Sequence, residues 1–167
     1  MTTGNNVDAY ADLSGLDGFD ASDVRPDLTG PKAFDFTFDT SKAPKSSVAQ
    51  SKAAVTHLFY MVNFLHDWYY DAGFDEKSAN HQLDNFGRGG RGGDPLLAEA
   101  QDFNGTNNAD AATPADGGSP RIQMYLWSGV SPGEIKVLTP ANIAGSKPTG
   151  TGGFGNGRHD RRDGRDD

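Results

Sequence analysis

The chain has 167 residues, enough for one compact domain, but only 35% of them are hydrophobic and 22 are glycines. Its formal net charge of −8 repels phosphate backbones, which argues against a nucleic-acid partner. It contains no cysteine, so disulfides and thiol chemistry are excluded, and no apolar run reaches the length of a membrane span. The composition therefore predicts a loop-rich α+β domain whose partners are neither nucleic acids nor membranes.

The first half of the chain predicts one strand and one long helix. Ala33–Asp39 alternates apolar and polar side chains, which predicts a half-buried strand. Ser47 and Gln50 then fit a capping box, and Gly73 is a suitable glycine just beyond a helix end. Between them, apolar and aromatic side chains occupy two helical stripes. A helix that is apolar on nearly all sides is expected to be buried.

The second half predicts one further strand and one segment that is either a strand or a turn, with loops between them. Asn85–Pro95 is a glycine-rich loop, and Pro95–Ala100 after it has the pattern of a short strand or a turn. Arg121–Trp127 is the stronger strand candidate, because it is rich in large apolar residues. From residue 155 onward no apolar side chain occurs, so residues 155–167 are predicted to be a disordered charged tail.

One segment of the helix resembles the zinc motif H-E-x-x-H only in part. That motif places two histidines one helical turn apart to bind zinc, and its Glu activates water. Here Tyr70 stands in place of the second histidine and Asp67 in place of the Glu, and no histidine lies four residues from His66. The sequence therefore predicts no metal ligand and no catalytic residue, with His66 and Asp67 hydrogen-bonded at a buried helix end.

The glycine-rich loop also contains a literal G-x-G-x-x-G pattern at Gly87–Gly92. A dinucleotide site requires a strand before this pattern and a helix directly after it, and Pro95 follows too closely for that. The Arg-Gly-Gly repeats are also found in RNA-binding segments, but two repeats in an acidic chain are a weak signal. A structural loop is the better interpretation.

Asp102–Asn108 offers oxygen ligands at alternating positions, as calcium-binding loops do. The segment lacks the glutamate that completes an EF-hand, so an Asx-turn loop is the alternative. Calcium remains a candidate ligand on this pattern.

Eight segments follow one another in an order that is typical of a known family. They are Gly4–Tyr10, Leu58–Tyr70, Gly73–Glu76, Asn85–Asp94, Ala100–Asp102, Asn107–Ala109, Thr113–Gly117 and Met124–Trp127. Together they resemble the fungalysin (elastinolytic) extracellular zinc metallopeptidases of the bacterial type. The resemblance covers only the N-terminal part of the catalytic region in that family.

The resemblance implies a fold, a binding site and a location. The fold would be α+β, an incomplete thermolysin-like N-terminal lobe with a twisted sheet and one long buried helix. In such enzymes an Asn-Asn-Ala edge strand pairs with the substrate backbone, so Asn108 and Ala109 are the expected binding residues for an extended peptide or protein substrate. Zinc would be the cofactor of the full-length enzyme. The location would be extracellular, although the N-terminus of this chain is no signal peptide.

The resemblance also divides the chain. Residues 1–128 would form the N-terminal lobe, residues 129–154 would begin a protease-associated-type insertion, and residues 155–167 would be the charged tail. That tail is either an aberrant, out-of-frame end or a genuine disordered segment. The predicted function is a fragment of a secreted zinc endopeptidase that is inactive alone, because H-E-x-x-H does not occur in this sequence. The alternative is a non-catalytic peptide-binding module that uses the Asn108–Ala109 edge strand.

Overall fold

The computed structural model describes residues 1–15 and 17–128, and there the chain folds as one α-helix against one four-stranded sheet. The elements are strand β1 (Val7–Ala11), helix α1 (Val48–Asp71), a short 3₁₀ turn (Glu76–Ser78), and strands β2 (Leu96–Thr106), β3 (Ala109–Ala112) and β4 (Arg121–Leu126). The sheet order is β1-β2-β4-β3, with β1, β2 and β4 parallel and β3 antiparallel to β4. The predicted α+β class is confirmed, and the architecture is compatible with an incomplete thermolysin-like N-terminal lobe.

Both predicted ends of α1 are confirmed. The hydroxyl of Ser47 accepts the backbone N–H of Gln50 at 3.3 Å, which caps the first turn. The side chain of Gln50 does not close the capping box and instead makes two hydrogen bonds to the backbone of Asp39, at 2.8 and 2.9 Å. At the other end Gly73 has a φ of +101°, a conformation that glycine adopts without strain.

The hydrophobic core lies between α1 and one face of the sheet. Its fully buried members are Val7, Ala9, Ala11, Val55, Ala98 and Ala100. Most of these are alanines, so the helix and the sheet approach closely. Because side chains alternate along a strand, the residues between them on β1 and β2 point to the opposite face.

The predicted burial of α1 on all sides is wrong. Only Gln50, Ser51, Ala53 and Val55 are buried, while Tyr60, Phe64 and Trp68 are 65%, 53% and 58% exposed. The physical reason is that the sheet covers a single side of the helix. Within the described residues no other secondary-structure element packs against its aromatic side. We call Tyr60, Phe64 and Trp68 the exposed aromatic face.

The predicted strand at Ala33–Asp39 is also wrong. Only an isolated bridge between Gly30 and Ala33 forms there, with no strand around it. The ring of Phe34 instead contacts that of Phe59 on α1, with ring centroids 5.9 Å apart. A strand needs a neighbour to satisfy its backbone, and this segment packs its aromatic rings on the helix.

Of the two alternatives for Pro95–Ala100, the strand is the one that forms, since β2 begins at Leu96, and the strand predicted at Arg121–Trp127 is confirmed as β4. The proposed insertion at 129–154 and the charged tail at 155–167 lie outside the described residues. No helix in the described part combines the length and the apolar character that a membrane crossing requires.

Candidate functional site

Strand β3 forms an open edge of the sheet. It is bonded to β4 on one side only, and all four residues of Ala109–Ala112 are exposed. No other strand in the described part of the chain lies against its second side. An edge strand presents backbone N–H and C=O groups that can pair with another extended chain.

The register of β3 shows which backbone groups point outward. The N–H of Tyr125 donates to the carbonyl of Asn108 at 3.3 Å, and Ala109 then lies opposite Met124. In an antiparallel ladder, hydrogen-bonded and non-hydrogen-bonded pairs alternate, so the N–H and C=O of Ala109 face away from β4. Farther along, the Asp110 carboxylate accepts the N–H of its neighbour at 2.7 Å. Ala109 therefore carries the unengaged donor and acceptor at this edge.

The two adjacent asparagines before β3 have different roles. Asn107 adopts a left-handed conformation with φ of 59°, and its N–H donates to the carbonyl of Leu126 at 2.8 Å. Its side-chain amide also bonds Ser128 at 2.7 Å through both its nitrogen and its oxygen. The amide of Asn108 is exposed and makes no side-chain hydrogen bond within the described residues. Asn107 holds the turn, and the side chain of Asn108 is left exposed directly before β3.

The glycine-rich loop supports the turn that leads into β4. The Asn85 side chain donates to the carbonyl of Gly89 at 2.8 Å, and the N–H of Arg91 donates to the Asp116 carboxylate at 3.1 Å. Strand β2 follows this loop, and no helix opens after it. The glycine-rich loop therefore has a structural role, as predicted, and it lacks the strand-loop-helix context of a dinucleotide site.

Three buried carboxylates meet on the sheet face opposite α1. Asp12, Glu99 and Asp102 are 0%, 0% and 2% exposed, and one ligand atom of each lies within 4.8 Å of the others. We call these three residues the acidic cluster. Burial raises the pKa of Asp12 to about 6, and the negative charge of Asp23 adds to this shift, while the backbone N–H of Gly18 opposes it in part.

Glu99 is the second perturbed member of the acidic cluster. Burial raises the pKa of Glu99 to about 7, and the neighbouring Asp102 adds to the rise. Two groups oppose it. The hydroxyl of Tyr10 donates to Oε1 of Glu99 at 2.7 Å, and Nε of Arg121 lies 3.8 Å from its Oε2.

The predicted calcium loop at Asp102–Asn108 does not form as a loop. Residues up to Thr106 belong to β2, and the side chains of Asn104 and Asn107 bond Asp17 and Ser128. Only Asp102 points into a group of oxygen ligands, and its companions there come from other parts of the chain. Strand pairing, which the local pattern does not reveal, draws this segment into the sheet.

Comparison with known proteins gives the family of the chain. The family model described as "Fungalysin metallopeptidase (M36)" matches residues 1–161. This chain belongs to the fungalysin family. Over 131 residues it is 41% identical to "Probable extracellular metalloproteinase 5" of Trichophyton verrucosum and to "Extracellular metalloproteinase 5" of Arthroderma benhamiae. It is 40% identical to "Extracellular metalloproteinase 1" of Arthroderma gypseum.

These alignments cover 78% of the fungalysin chain described here and 20% of each of these three relatives. The chain thus matches about a fifth of the length of these extracellular proteins. The resemblance to the fungalysin family that the sequence motifs indicated is confirmed by the family match and by these identities.

The described residues of this fungalysin chain do not fit a zinc ion. Tyr70 does not complete a zinc motif, because its hydroxyl donates to Glu76 at 2.9 Å. Nδ1 of His66 lies 3.1 Å from the carboxylate of Asp67, which is exposed rather than at a buried helix end. The acidic cluster is the group of three ligating side chains found within the described residues, and it lacks the nitrogen and sulfur ligands that zinc prefers.

Sequence reasoning missed the acidic cluster of this fungalysin chain. One signal for it was present, since Glu99 is one of only three glutamates and stands among the apolar residues of Leu96–Ala100. A charged residue inside an apolar strand indicates a paired or functional group. No signal pointed to Asp12, because its proximity to Glu99 depends on the pairing of β1 with β2.

Proposed function

We propose that this chain supplies the N-terminal lobe of a secreted zinc endopeptidase and that the open edge of β3 binds the extended peptide substrate. The observation that carries this proposal is the geometry at Asn108 and Ala109. The N–H and C=O of Ala109 face outward, and the amide of Asn108 stands exposed beside them. The proposed extracellular location is supported by the relatives, which are extracellular metalloproteinases.

The chemistry of this edge is strand addition. A peptide that lies along β3 forms main-chain hydrogen bonds to Ala109, which hold it without regard to its side chains. The Asn108 amide adds a donor and an acceptor for the next peptide group. The residues of β3 other than Asp110 are alanines, so little side-chain volume obstructs the approach of the peptide.

Hydrolysis requires groups that the described residues do not supply. The H-E-x-x-H motif does not occur in this sequence, and we propose that the chain alone does not cleave peptide bonds. The exposed aromatic face is the surface on which the remainder of a catalytic region would pack, since apolar patches of this kind mark interaction sites. Chelator-sensitive casein cleavage by the pure chain would contradict this proposal.

Replacing Ala109 with proline is expected to abolish peptide binding while preserving the fold. Proline removes the outward N–H, and this N–H takes no part in the β3–β4 ladder. Binding of an unlabelled hexapeptide is measured by calorimetry, and folding by circular dichroism. The matched change Asp110→Pro removes a ladder N–H instead, so it is expected to destabilise the hairpin and to lower the thermal midpoint.

Replacing Asn108 with alanine is expected to weaken the same peptide about threefold to tenfold, because one net hydrogen bond contributes about 0.5–1.5 kcal/mol. Asn107→Ala is expected to lower the thermal midpoint of the chain, because the Asn107 amide holds the turn to Ser128. Asp35→Ala serves as the neutral control, because Asp35 is exposed and lies outside β3 and its turn. Unchanged affinity in both Asn108→Ala and Ala109→Pro would overturn the proposed site.

The alternative, a non-catalytic peptide-binding module, rests on the same exposed edge. It predicts that the chain binds peptide by itself with a Kd tighter than about 10 μM, a free energy near −7 kcal/mol. Affinity closer to about 1 mM favours the endopeptidase lobe, in which zinc and the rest of the cleft would supply the remaining binding energy. No binding at all would contradict both functions.

A further inference from the structure

We propose that the acidic cluster, Asp12, Glu99 and Asp102, is a buried binding site for a calcium ion. The site lies on the sheet face opposite α1, away from the open edge of β3, and it does not rest on the proposed peptidase function. Three observations carry it: the way the fold brings the three carboxylates together, their buried oxygens that accept no hydrogen bond, and the charge and chemistry of the surrounding groups.

A distortion of β2 places the three carboxylates on one face. In a regular strand Glu99 and Asp102 would point to opposite faces, because side chains alternate. Gln101 between them has a φ of 53°, and the register of β2 against β4 shifts at this point. The Gln101 side chain accepts a hydrogen bond from Ser51 of α1 at 2.8 Å, so it remains on the helix side. The bulge thereby turns Asp102 to the face of Glu99.

The pairing of β1 with β2 brings in the third carboxylate. The two strands are parallel, with Ala11 opposite Ala100, and Asp12 follows directly after β1. A left-handed conformation at a residue other than glycine costs free energy, of order 1–3 kcal/mol. Such strain persists where the surrounding structure holds it, and it is frequent at binding sites. Here the strained residue is Gln101, which sets the direction of Asp102.

Three oxygens in the acidic cluster are buried and accept no hydrogen bond of normal geometry within the described residues. They are both carboxylate oxygens of Asp12 and Oε2 of Glu99. Both side chains are fully buried, at 0% exposure. Burying a carboxylate without a partner is strongly unfavourable, so such groups bind a cation or take up a proton. Ligand atoms from all three residues lie within 4.8 Å of one another, close enough to share one ion.

The remaining oxygens are fixed in place by neutral donors. Tyr10 donates to Oε1 of Glu99 at 2.7 Å, and the side chain of Gln123 donates to Oδ2 of Asp102 at 2.8 Å. Contacts of this kind orient the ligands of metal sites. Each carboxylate oxygen has two lone pairs, so Asp102 retains acceptor capacity for an ion beside its hydrogen bonds.

The local charge favours a cation. Arg121 is the positive side chain near Glu99, and it also bonds Asp17 at 3.0 Å. Asp23 adds a further negative charge beside Asp12. All ligands are carboxylate oxygens, which select hard cations such as calcium over zinc or copper. Calcium tolerates irregular geometry and bidentate carboxylates, whereas magnesium requires a near-ideal octahedron, so calcium is the better fit.

The test uses the full chain and calcium chloride, with terbium as a luminescent substitute for calcium. Tyr10 touches Glu99 through its hydroxyl, so excitation of tyrosine is expected to sensitise bound terbium, and calcium is expected to displace it. In calorimetry we expect one calcium site. At a hundredfold excess of calcium over Kd, the thermal midpoint is expected to rise by at least about 5 °C.

Asp12→Asn distinguishes a calcium site from a structural carboxylate. We expect it to weaken calcium binding by about tenfold or more, and to raise the thermal midpoint in EDTA because it removes a buried charge. Glu99→Gln is the second variant, with the same expected pattern. A merely structural Asp12 would give a variant that is less stable in EDTA and that keeps the calcium response.

Asp35→Asn, an exposed control, should leave both the calcium affinity and the thermal midpoint unchanged. The proposal is overturned if wild-type protein shows no calcium-dependent rise in its midpoint at neutral pH. It is also overturned if magnesium stabilises the chain as well as calcium does, or if Asp12→Asn leaves terbium luminescence intact. A wild-type chain stable in EDTA and indifferent to calcium would indicate that the carboxyls share protons instead.

Discussion

Replacing Gly90 with alanine is expected to lower the free energy of unfolding by about 3 kcal/mol, the combined effect of overpacking and backbone strain. A Cβ at this position would lie 2.1 Å from the backbone carbonyl oxygen of Glu76, which cannot move without shifting the 3₁₀ turn. The φ of Gly90 is +61°, a conformation that alanine adopts only at a cost. Circular dichroism of α1 during urea unfolding is the measurement.

Gly87→Ala is the matched control for this expectation. Gly87 lies in the same loop with φ of +70°, but a Cβ there would meet no atom within 4 Å. Its replacement therefore carries the backbone cost alone, about 1–2 kcal/mol. Tryptophan fluorescence is a poor reporter in this chain, because Trp68 and Trp127 are 58% and 64% exposed when folded. Equal effects of the two alanines would show that the close approach to Glu76 is relaxed at little cost.

In EDTA, the stability of the chain is expected to fall as the pH rises from about 4 to about 7. Burial raises the folded-state pKa of Asp12 to about 6 from an ordinary 3.8, and that of Glu99 to about 7 from 4.5. The folded state therefore binds more protons than the unfolded state in this range. Below pH 4 both carboxyls are protonated in the folded and the unfolded state, and their full contribution to stability is present. Above pH 7 the folded state carries the buried charges, and that stability is lost.

The size of this effect follows from the shifts. One pKa unit corresponds to about 1.4 kcal/mol, so each carboxyl contributes at most about 3 kcal/mol, and their coupling makes the sum smaller than two independent contributions. The facing groups Asp17, Asp23 and Asp102 act in the same direction as the burial. Tyr10 and Arg121 oppose the rise in the pKa of Glu99, and the backbone of Gly18 opposes that of Asp12. Urea unfolding at intervals between pH 4 and 8 measures the change.

Asp12→Asn is expected to flatten this pH dependence, because the variant has no proton to lose at position 12. The exposed Asp39 does not contribute to the pH dependence of stability between pH 4 and 7. Hydrogen bonds from Ser41 lower its pKa to about 2, so its contribution is present above pH 4 and is lost only as the pH falls through 2. A wild-type chain that gains stability between pH 4 and 7 in EDTA would contradict the buried-carboxyl account.

The features that the sequence predicted well are those that depend on near neighbours. Ser47 begins α1 and Gly73 ends it, because a cap and a left-handed glycine act within one turn of the helix. The motif order that identified the fungalysin family is likewise a property of the chain itself. The burial of α1 was not predictable in this way, since it depends on which elements lie against each side of the helix.

The two asparagines before β3, Asn107 and Asn108, have roles that the sequence could not tell apart. They are adjacent in the sequence, yet the side chain of Asn107 is fixed by Ser128, while that of Asn108 is exposed and makes no hydrogen bond within the described residues. The resemblance placed Asn108 and Ala109 on an edge strand, and in the structure Ala109 is the first residue of β3 while Asn108 directly precedes it. Their role in binding substrate stays a prediction. The difference between the neighbours arises from the left-handed turn at Asn107, which requires the end of β4 to be in place.

The sequence by itself determined the helix, its two ends, two of the strands, the structural character of the glycine-rich loop and the family. The tertiary structure alone decided which charged residues meet. Tyr10 and Glu99 lie 89 residues apart in the chain and touch because β1 pairs with β2. Asp102 joins them only through the bulge at Gln101. Pairing between distant strands carries no local signature, because the backbone hydrogen bonds that create it are the same for every side chain.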